Sequence, residues 1–183
     1  MMQSDNKTRR LFVALPVSAG FKSVFKKLPQ QQIDGSWNHP DDLHITIRFL
    51  GDVDPEAVDD IAETLERVQC KQLSIDVNGF DLFENKKPIL YAQVQSIRKM
   101  NNIVASVNEA LQHAGFAMPM RPYIPHITLA RPKDIPKARL FAKKNAKIMK
   151  SQWKAESFSL FESADPDIDG RIYTKIKQYS LKF

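Results

Sequence analysis

The tripeptide His-Ile-Thr occurs twice, as His44-Ile45-Thr46 and as His126-Ile127-Thr128, one copy in each half of a 183-residue chain. Two of only four histidines therefore open an identical motif. Each copy lies in an aliphatic, β-branched stretch bounded by glycine or proline, residues 43–51 and 125–132, which is the composition of a strand. On a strand, residues i and i+2 share a face and lie about 6–7 Å apart. His44 and Thr46 therefore point one way, and Leu43, Ile45, Ile47 and Phe49 the other. His126 and Thr128 share a face in the same manner, with Ile127 and Leu129 opposite. Packing asks only for apolar parity; it does not ask for the same polar pair twice. The chain must fold so that two apolar-backed strands each display an imidazole beside a hydroxyl.

Two such pairs facing each other would line a pocket with two histidines and two hydroxyl donors. In-line displacement at a phosphodiester needs that set: a base on the attacking oxygen and an acid on the leaving oxygen, on opposite sides of phosphorus. Histidine suits both roles, because its ordinary pKa of about 6.5 lets one ring be neutral and the other charged near neutral pH. The threonine hydroxyls can donate to the non-bridging oxygens. With water as nucleophile and a ribose hydroxyl as leaving group, neither a metal nor a covalent intermediate is required.

Paired His-x-Thr motifs on strands, in a chain of this size, resemble the two-histidine phosphoesterases, and most closely the RNA 2′,3′-cyclic phosphodiesterases, also called 2′-5′ RNA ligases of the LigT type. The resemblance covers nearly the whole chain. It includes residues 9–16 (Arg-Arg-Leu-Phe-Val-Ala-Leu-Pro), Trp37, and both motif stretches, 43–51 and 125–131. It implies an α+β, bilobal fold: two antiparallel β-sheets with helices on the outer faces, and a central cleft carrying one His-x-Thr from each lobe. It also implies roles. His126 activates water, His44 protonates the leaving ribose 3′-oxygen, Thr46 and Thr128 hold the non-bridging oxygens, and Arg131 contacts phosphate. Strand parity objects to Arg131, which lies five residues after His126 and would point to the other face of a regular strand. Arg48 has the right parity beside His44. Phe12 is a candidate for stacking on a base or, equally, for the core. The implied substrate is an RNA or nucleotide ending in a 2′,3′-cyclic phosphate, tRNA-like halves included, hydrolysed to a 2′-phosphomonoester without cofactor or metal by a monomer.

Composition is compatible with this. Lys and Arg exceed Asp and Glu, 27 to 21, for a net charge of +6, which suits an anionic partner without requiring one. The single cysteine, Cys70, rules out an internal disulfide and points to a reducing compartment. No apolar run reaches the roughly 18 residues of a membrane span, and no secretory signal is evident. We expect a cytoplasmic protein.

Taken in order, residues 1–8 read as polar and frayed, and 11–17 as a first strand. Ser18 caps a helix carrying Phe21, Val24, Phe25 and Leu28 at helical spacing. Residues 30–40 form a loop in which Trp37 packs and His39 is solvated. Gly51 ends the first motif strand. Asp54 and Pro55 open a helix to about Gln69, its outer face acidic. Residues 73–83 and 89–95 read as a hairpin. A helix over 98–114 ends at Gly115, with His113 in its last turn. After the second motif strand, 122–131, Pro136 opens a helix to about Met149. The basic run from Lys133 to Lys154 reads as a solvated face, with an RNA-tracking surface as the alternative. Residues 152–162 and 171–183 are closing strands around an aspartate-rich turn, 165–170. The whole is one bilobal domain over residues 1–183 with a rough internal duplication.

There is no Gly-rich phosphate loop, Gly-x-Ser-x-Gly elbow, Cys/His metal spacing or His-Glu-x-x-His. A zinc site from His39, His44 and His126 would leave both threonines unexplained. Two further readings remain: a non-catalytic nucleotide- or RNA-binding module on the same fold, and the reverse reaction, joining RNA ends through a 2′-5′ linkage with the same residues.

Overall fold

The computed structural model describes residues 8–182; the expectation for the first seven residues, and the last residue of the closing strand, lie outside them. The element order is β1 (Arg9–Pro16), α1 (Ala19–Lys26), β2 (Gly35–Trp37), β3 (His44–Val53), α2 (Val58–Glu66), β4 (Leu73–Phe83), β5 (Ile89–Val94), α3 (Ile97–His113), β6 (His126–Pro132), α4 (Ile135–Asn145), β7 (Lys150–Ala155), β8 (Ser157–Ser163) and β9 (Tyr173–Ser180). The strands form two sheets, ordered β3-β1-β8-β9 and β2-β6-β5-β4-β7. Every pairing within them is antiparallel. The fold is α+β, with one His-x-Thr strand in each sheet.

The local signals act as their chemistry requires. The Ser18 hydroxyl accepts from the Phe21 amide and starts α1. The Asp54 carboxylate accepts from the Glu56 amide, so a single 3₁₀ turn leads into α2. The Asp134 carboxylate accepts from the Lys137 amide and starts α4. Gly115 ends α3 at φ +86°, a conformation in which a Cβ is strained.

Apolar faces then choose partners. On the second sheet, Phe21 of α1 packs on Trp153, Phe25 on Trp37, and Phe141 of α4 on both Trp37 and Phe80. On the first sheet, the Tyr179 hydroxyl of β9 donates to the Ala62 carbonyl of α2 at 3.0 Å. Met100, Ile103, Val104, Val107 and Leu111 bury one face of α3. Helices therefore cover the outer faces. Among the described residues no helix is long and apolar enough to cross a membrane.

Three expectations are corrected. Gly51 does not end β3; at φ +78° it sits where the pairing with β1 skips Leu50, so it absorbs a bulge and the strand runs on to Val53. The loop after α1 contains β2, which pairs with β6. Residues 152–162 are not one strand. Trp153 and Ala155 face inward in β7, but Phe158 and Leu160 do so in β8, so the alternation breaks at Glu156. The chain crosses there from the second sheet to the first.

Candidate active site

His44 opens β3 and His126 opens β6, and the two are held alike. His44 Nδ1 lies 2.7 Å from the Asp42 carbonyl, and His126 Nδ1 lies 2.8 Å from the Ile124 carbonyl. A carbonyl can only accept, so in each ring Nδ1 carries the proton and donates it. Each neutral ring therefore presents the Nε2 lone pair. In His44 that nitrogen is 3.1 Å from Thr46 Oγ, whose hydroxyl donates to it.

Aromatic rings wall both imidazoles. Phe12 lies 4.8 Å from His44 and Tyr173 stands edge-on at 5.1 Å. Phe83 and Tyr91 stand edge-on to His126 at 5.0 and 5.4 Å. Burial among these rings penalises the charged form. It pushes His44 down to about 4, against the hydrogen bond to Asp42 and with added repulsion from His126. Burial likewise lowers His126, opposed by its bond to Ile124. The two rings thus sense each other across the space between the sheets.

A bulge follows both motifs at the same place. Ala14 faces Thr46 and Val13 faces Arg48, which leaves Ile47 as an extra residue. Tyr91 faces Thr128 and Leu90 faces Ala130, which leaves Leu129 extra. One extra residue reverses the alternation beyond it. The parity objection to Arg131 therefore fails: the bulge returns Arg131 to the face of His126 and Thr128. Its charge reaches Tyr173, whose phenol is pushed up by burial and by Asp42 and held back by Arg131 and Arg10.

The same bulge corrects two residues of the first motif. Arg48 loses its parity with His44, since it faces the buried Val13; its guanidinium donates instead to the Ala117 carbonyl. Phe49, expected on the apolar face, emerges on the His44 side and is 68% exposed. Phe12 is only 3% exposed, with His44, Phe49, Phe161 and Tyr173 around it. Its ring is not open to a base; it buttresses His44.

Other candidates fall away from the cleft. His39 Nδ1 accepts from the Asp41 amide and caps the turn before β3. Trp37 is a packing residue between α1 and α4. The basic run around α4 lies on the outer face of the second sheet, opposite His126, and Lys133, Lys137 and Arg139 pair with Asp34, Asp134 and Glu84. The aspartate-rich turn is organised by Asp167, whose carboxylate accepts from the Asp169 and Arg171 amides at 2.9 Å.

Relatives share this architecture. A family model described as LigT like Phosphoesterase matches residues 13–91 and 93–168. The chain belongs to the LigT-like phosphoesterase family. The RNA 2′,3′-cyclic phosphodiesterase of Geobacillus stearothermophilus is 31% identical over 133 residues, 68% of this chain and 42% of that protein. The chain thus spans less than half the length of this relative. The RNA 2′,3′-cyclic phosphodiesterase of Methanocaldococcus jannaschii is 29% identical over 183 residues, 93% of this chain and 99% of that one. The crystal structure of E. coli LigT complexed with 3′-AMP has a TM-score of 0.76 at 19% identity and covers 97% of this chain and 100% of its own. That likeness carries the fold.

In this LigT-like phosphoesterase the cleft continues into a cavity of about 440 Å³, lined among others by Thr46, Arg48, Phe49, Phe83, Ile124 and His126. Sequence reasoning missed Tyr173 and Asp42. Asp42 is buried, 5% exposed; its carboxylate accepts from the Ile172 amide at 2.9 Å and fixes Tyr173 beside His44. Neither had a local signal, because the contact joins residues at opposite ends of the chain.

Proposed function

We propose that this chain hydrolyses terminal 2′,3′-cyclic phosphates of RNA to 2′-phosphomonoesters by metal-independent general acid–base catalysis. The observation that carries the reading is the matched pair of imidazoles, each fixed by an Nδ1–H bond to a carbonyl and each offering Nε2. The names borne by the relatives, RNA 2′,3′-cyclic phosphodiesterase, support the same substrate. The repeated bulge and repeated tautomer support reading the chain as one domain built on a duplicated unit.

With the cyclic phosphate between the sheets, His126 Nε2 takes a proton from water as the water oxygen attacks phosphorus. The bond from phosphorus to the ribose 3′-oxygen breaks, and His44 Nε2–H supplies the proton to that oxygen. His44 must first be protonated, which burial opposes in the empty cleft. The phosphate anion supplies the missing counter-charge, so substrate binding raises the pKa of both rings. The imidazolium of His44 then has a partner at each nitrogen, the Asp42 carbonyl and the leaving oxygen. Thr46 and Thr128 donate to the non-bridging oxygens, which requires Thr46 to turn from His44. Arg131 adds its charge from the strand end beyond the bulge.

The test is hydrolysis of 2′,3′-cyclic AMP in EDTA, with the product isomer identified by phosphorus NMR. A 2′-phosphate is expected. A 3′-phosphate would keep the histidine pair but exchange the leaving oxygen. Binding without turnover would favour a non-catalytic nucleotide-binding module, and loss of activity in EDTA would overturn the metal-independent mechanism.

A further inference from the structure

The two imidazoles do not stand on equally secured strands. β6 runs inside its sheet between β2 and β5, whereas β3 is the outermost strand of the other sheet. An edge strand presents N–H and C=O groups that no ladder pairs. No strand pairing sets the distance from β3 to β6, because they belong to different sheets. The connection that leads into β6, residues 114–125, contains neither helix nor strand.

Two bonds tie that connection to β3. Arg48 donates to the Ala117 carbonyl, and the Tyr123 hydroxyl donates to the Thr46 carbonyl at 2.9 Å. The second bond joins the two motifs, since Thr46 lies two residues after His44 and Tyr123 three before His126. Burial pushes the Tyr123 phenol up, so it keeps the proton that it donates.

The bond reaches His126 through the next residue. The Ile124 carbonyl accepts Nδ1–H of His126 at 2.8 Å. Pro122 and Pro125 bracket Tyr123 and Ile124. A proline fixes its own φ and restricts the residue before it, so the four residues form a stiff piece. Anchoring Tyr123 therefore anchors the carbonyl that sets the tautomer of His126. Thr46 serves both rings: its hydroxyl donates to His44 Nε2, and its carbonyl holds the segment that orients His126. The carbonyl that holds His44 belongs to Asp42, which is fixed by Ile172. His44 is thus secured from within its own half, and His126 from across the cleft.

We propose that Tyr123 is a positioning residue for the acid–base pair. Its hydroxyl fixes the separation of the two imidazoles and holds His126 in the Nδ1–H tautomer, with Nε2 free to act. Tyr123 works through His126, so the proposal rests on the general-base role given to that residue above.

Tyr123→Phe removes one oxygen and keeps the ring. A slightly misplaced base loses alignment with the attacking water, so kcat for 2′,3′-cyclic AMP should fall about 10–100-fold while KM stays within about twofold. In a His126→Ala background the same substitution should change the residual kcat by less than about twofold, because the group it orients is gone. Nitrogen-15 NMR at neutral pH reads the ring directly: His126 should carry its proton on Nδ1 in wild type and show both tautomers in Tyr123→Phe. Unchanged kcat overturns the proposal, as does a rise in KM alone, which would make Tyr123 a wall of the substrate site. An equal loss of kcat in the His126→Ala background also overturns it, since a merely structural role weakens the site whatever base is present. If wild type does not hydrolyse the cyclic nucleotide, the hydrolase reading fails and the spectra decide the positioning role. A single Nδ1–H tautomer retained in Tyr123→Phe overturns it, and a mixture supports it.

Discussion

The Asp42 carboxylate accepts the backbone N–H of Ile172 at 2.9 Å, while the carbonyl of the same residue accepts Nδ1–H of His44 at 2.7 Å. One buried residue thus joins the start of β9 to the first motif and sets Tyr173 beside the imidazole. Asp42→Ala keeps the carbonyl but leaves the Ile172 amide without its acceptor. A buried donor left unpaired costs about 1–3 kcal/mol. We expect that loss in urea denaturation, together with a fall in kcat as Tyr173 loosens. Asp42→Asn retains an acceptor oxygen and should recover much of both. Wild-type stability in Asp42→Ala would show that the contact holds nothing in place.

The buried histidines make stability depend on pH in one direction. His44 has a folded pKa of about 4, below its ordinary value of 6.5. Below 6.5 the unfolded chain takes up a proton that the folded chain refuses. The stabilisation is therefore complete above pH 6.5 and is lost as pH falls toward 4. The contribution is at most about 3 kcal/mol. His126 acts in the same direction. The midpoint of urea unfolding should fall between pH 7.5 and 4.5 in wild type, and by less in His44→Gln. An equal fall in both proteins would remove His44 from the linkage.

Activity should report the same shifts. With both rings lowered in the empty cleft, the bell for kcat/KM is expected to peak on the acid side of pH 6.5. The phosphate anion raises both rings in the complex, so the optimum of kcat should lie at higher pH. His44→Ala and His126→Ala should each lower turnover of 2′,3′-cyclic AMP about 10²–10⁴-fold. The double variant should lose far less than the product, since the base and the acid serve the same displacement and act as a unit. Near-wild-type turnover in either single variant would falsify the two-histidine mechanism.

How much of this was legible in sequence depends on the reach of each interaction. The motif strands, the hairpin of β4 and β5, and the cores of α2 and α3 follow from local periodicity. The bulges do not. Ile47 and Leu129 are as apolar as any strand residue, so an extra one leaves the composition unchanged while reversing the face of Arg48, Phe49 and Arg131. The break at Glu156 was readable, because inward positions change from odd at Trp153 and Ala155 to even at Phe158 and Leu160. Which sheet each strand joins was not, since that pairing is set by distant residues. Tyr173 belongs to the site for the same reason and was equally invisible.

Arg131 owes its position to a glycine in the strand that the sequence concealed. Ser36 of β2 pairs with Arg131, and Gly35 pairs with Pro132. A Cβ at Gly35 would meet the Arg131 carbonyl oxygen at 2.3 Å and Pro132 Cα at 2.8 Å. Both are backbone atoms, so no rotamer change can relieve the overlap. Gly35→Ala must push β2 away from the end of β6, at a cost of about 1–3 kcal/mol for such overpacking. The shift moves the backbone that carries Arg131, while His126 and Thr128 are held in register by β5, with Asn38 just beyond β2 donating its side-chain amide to the Thr128 carbonyl at 2.9 Å. Gly35→Ala should therefore raise KM for 2′,3′-cyclic AMP more than it lowers kcat, and Arg131→Ala should do the same without the loss of stability. In the double variant the KM effects should not add, because each removes the same charge from the phosphate. Additive effects would mean that Arg131 acts independently of the strand beside it.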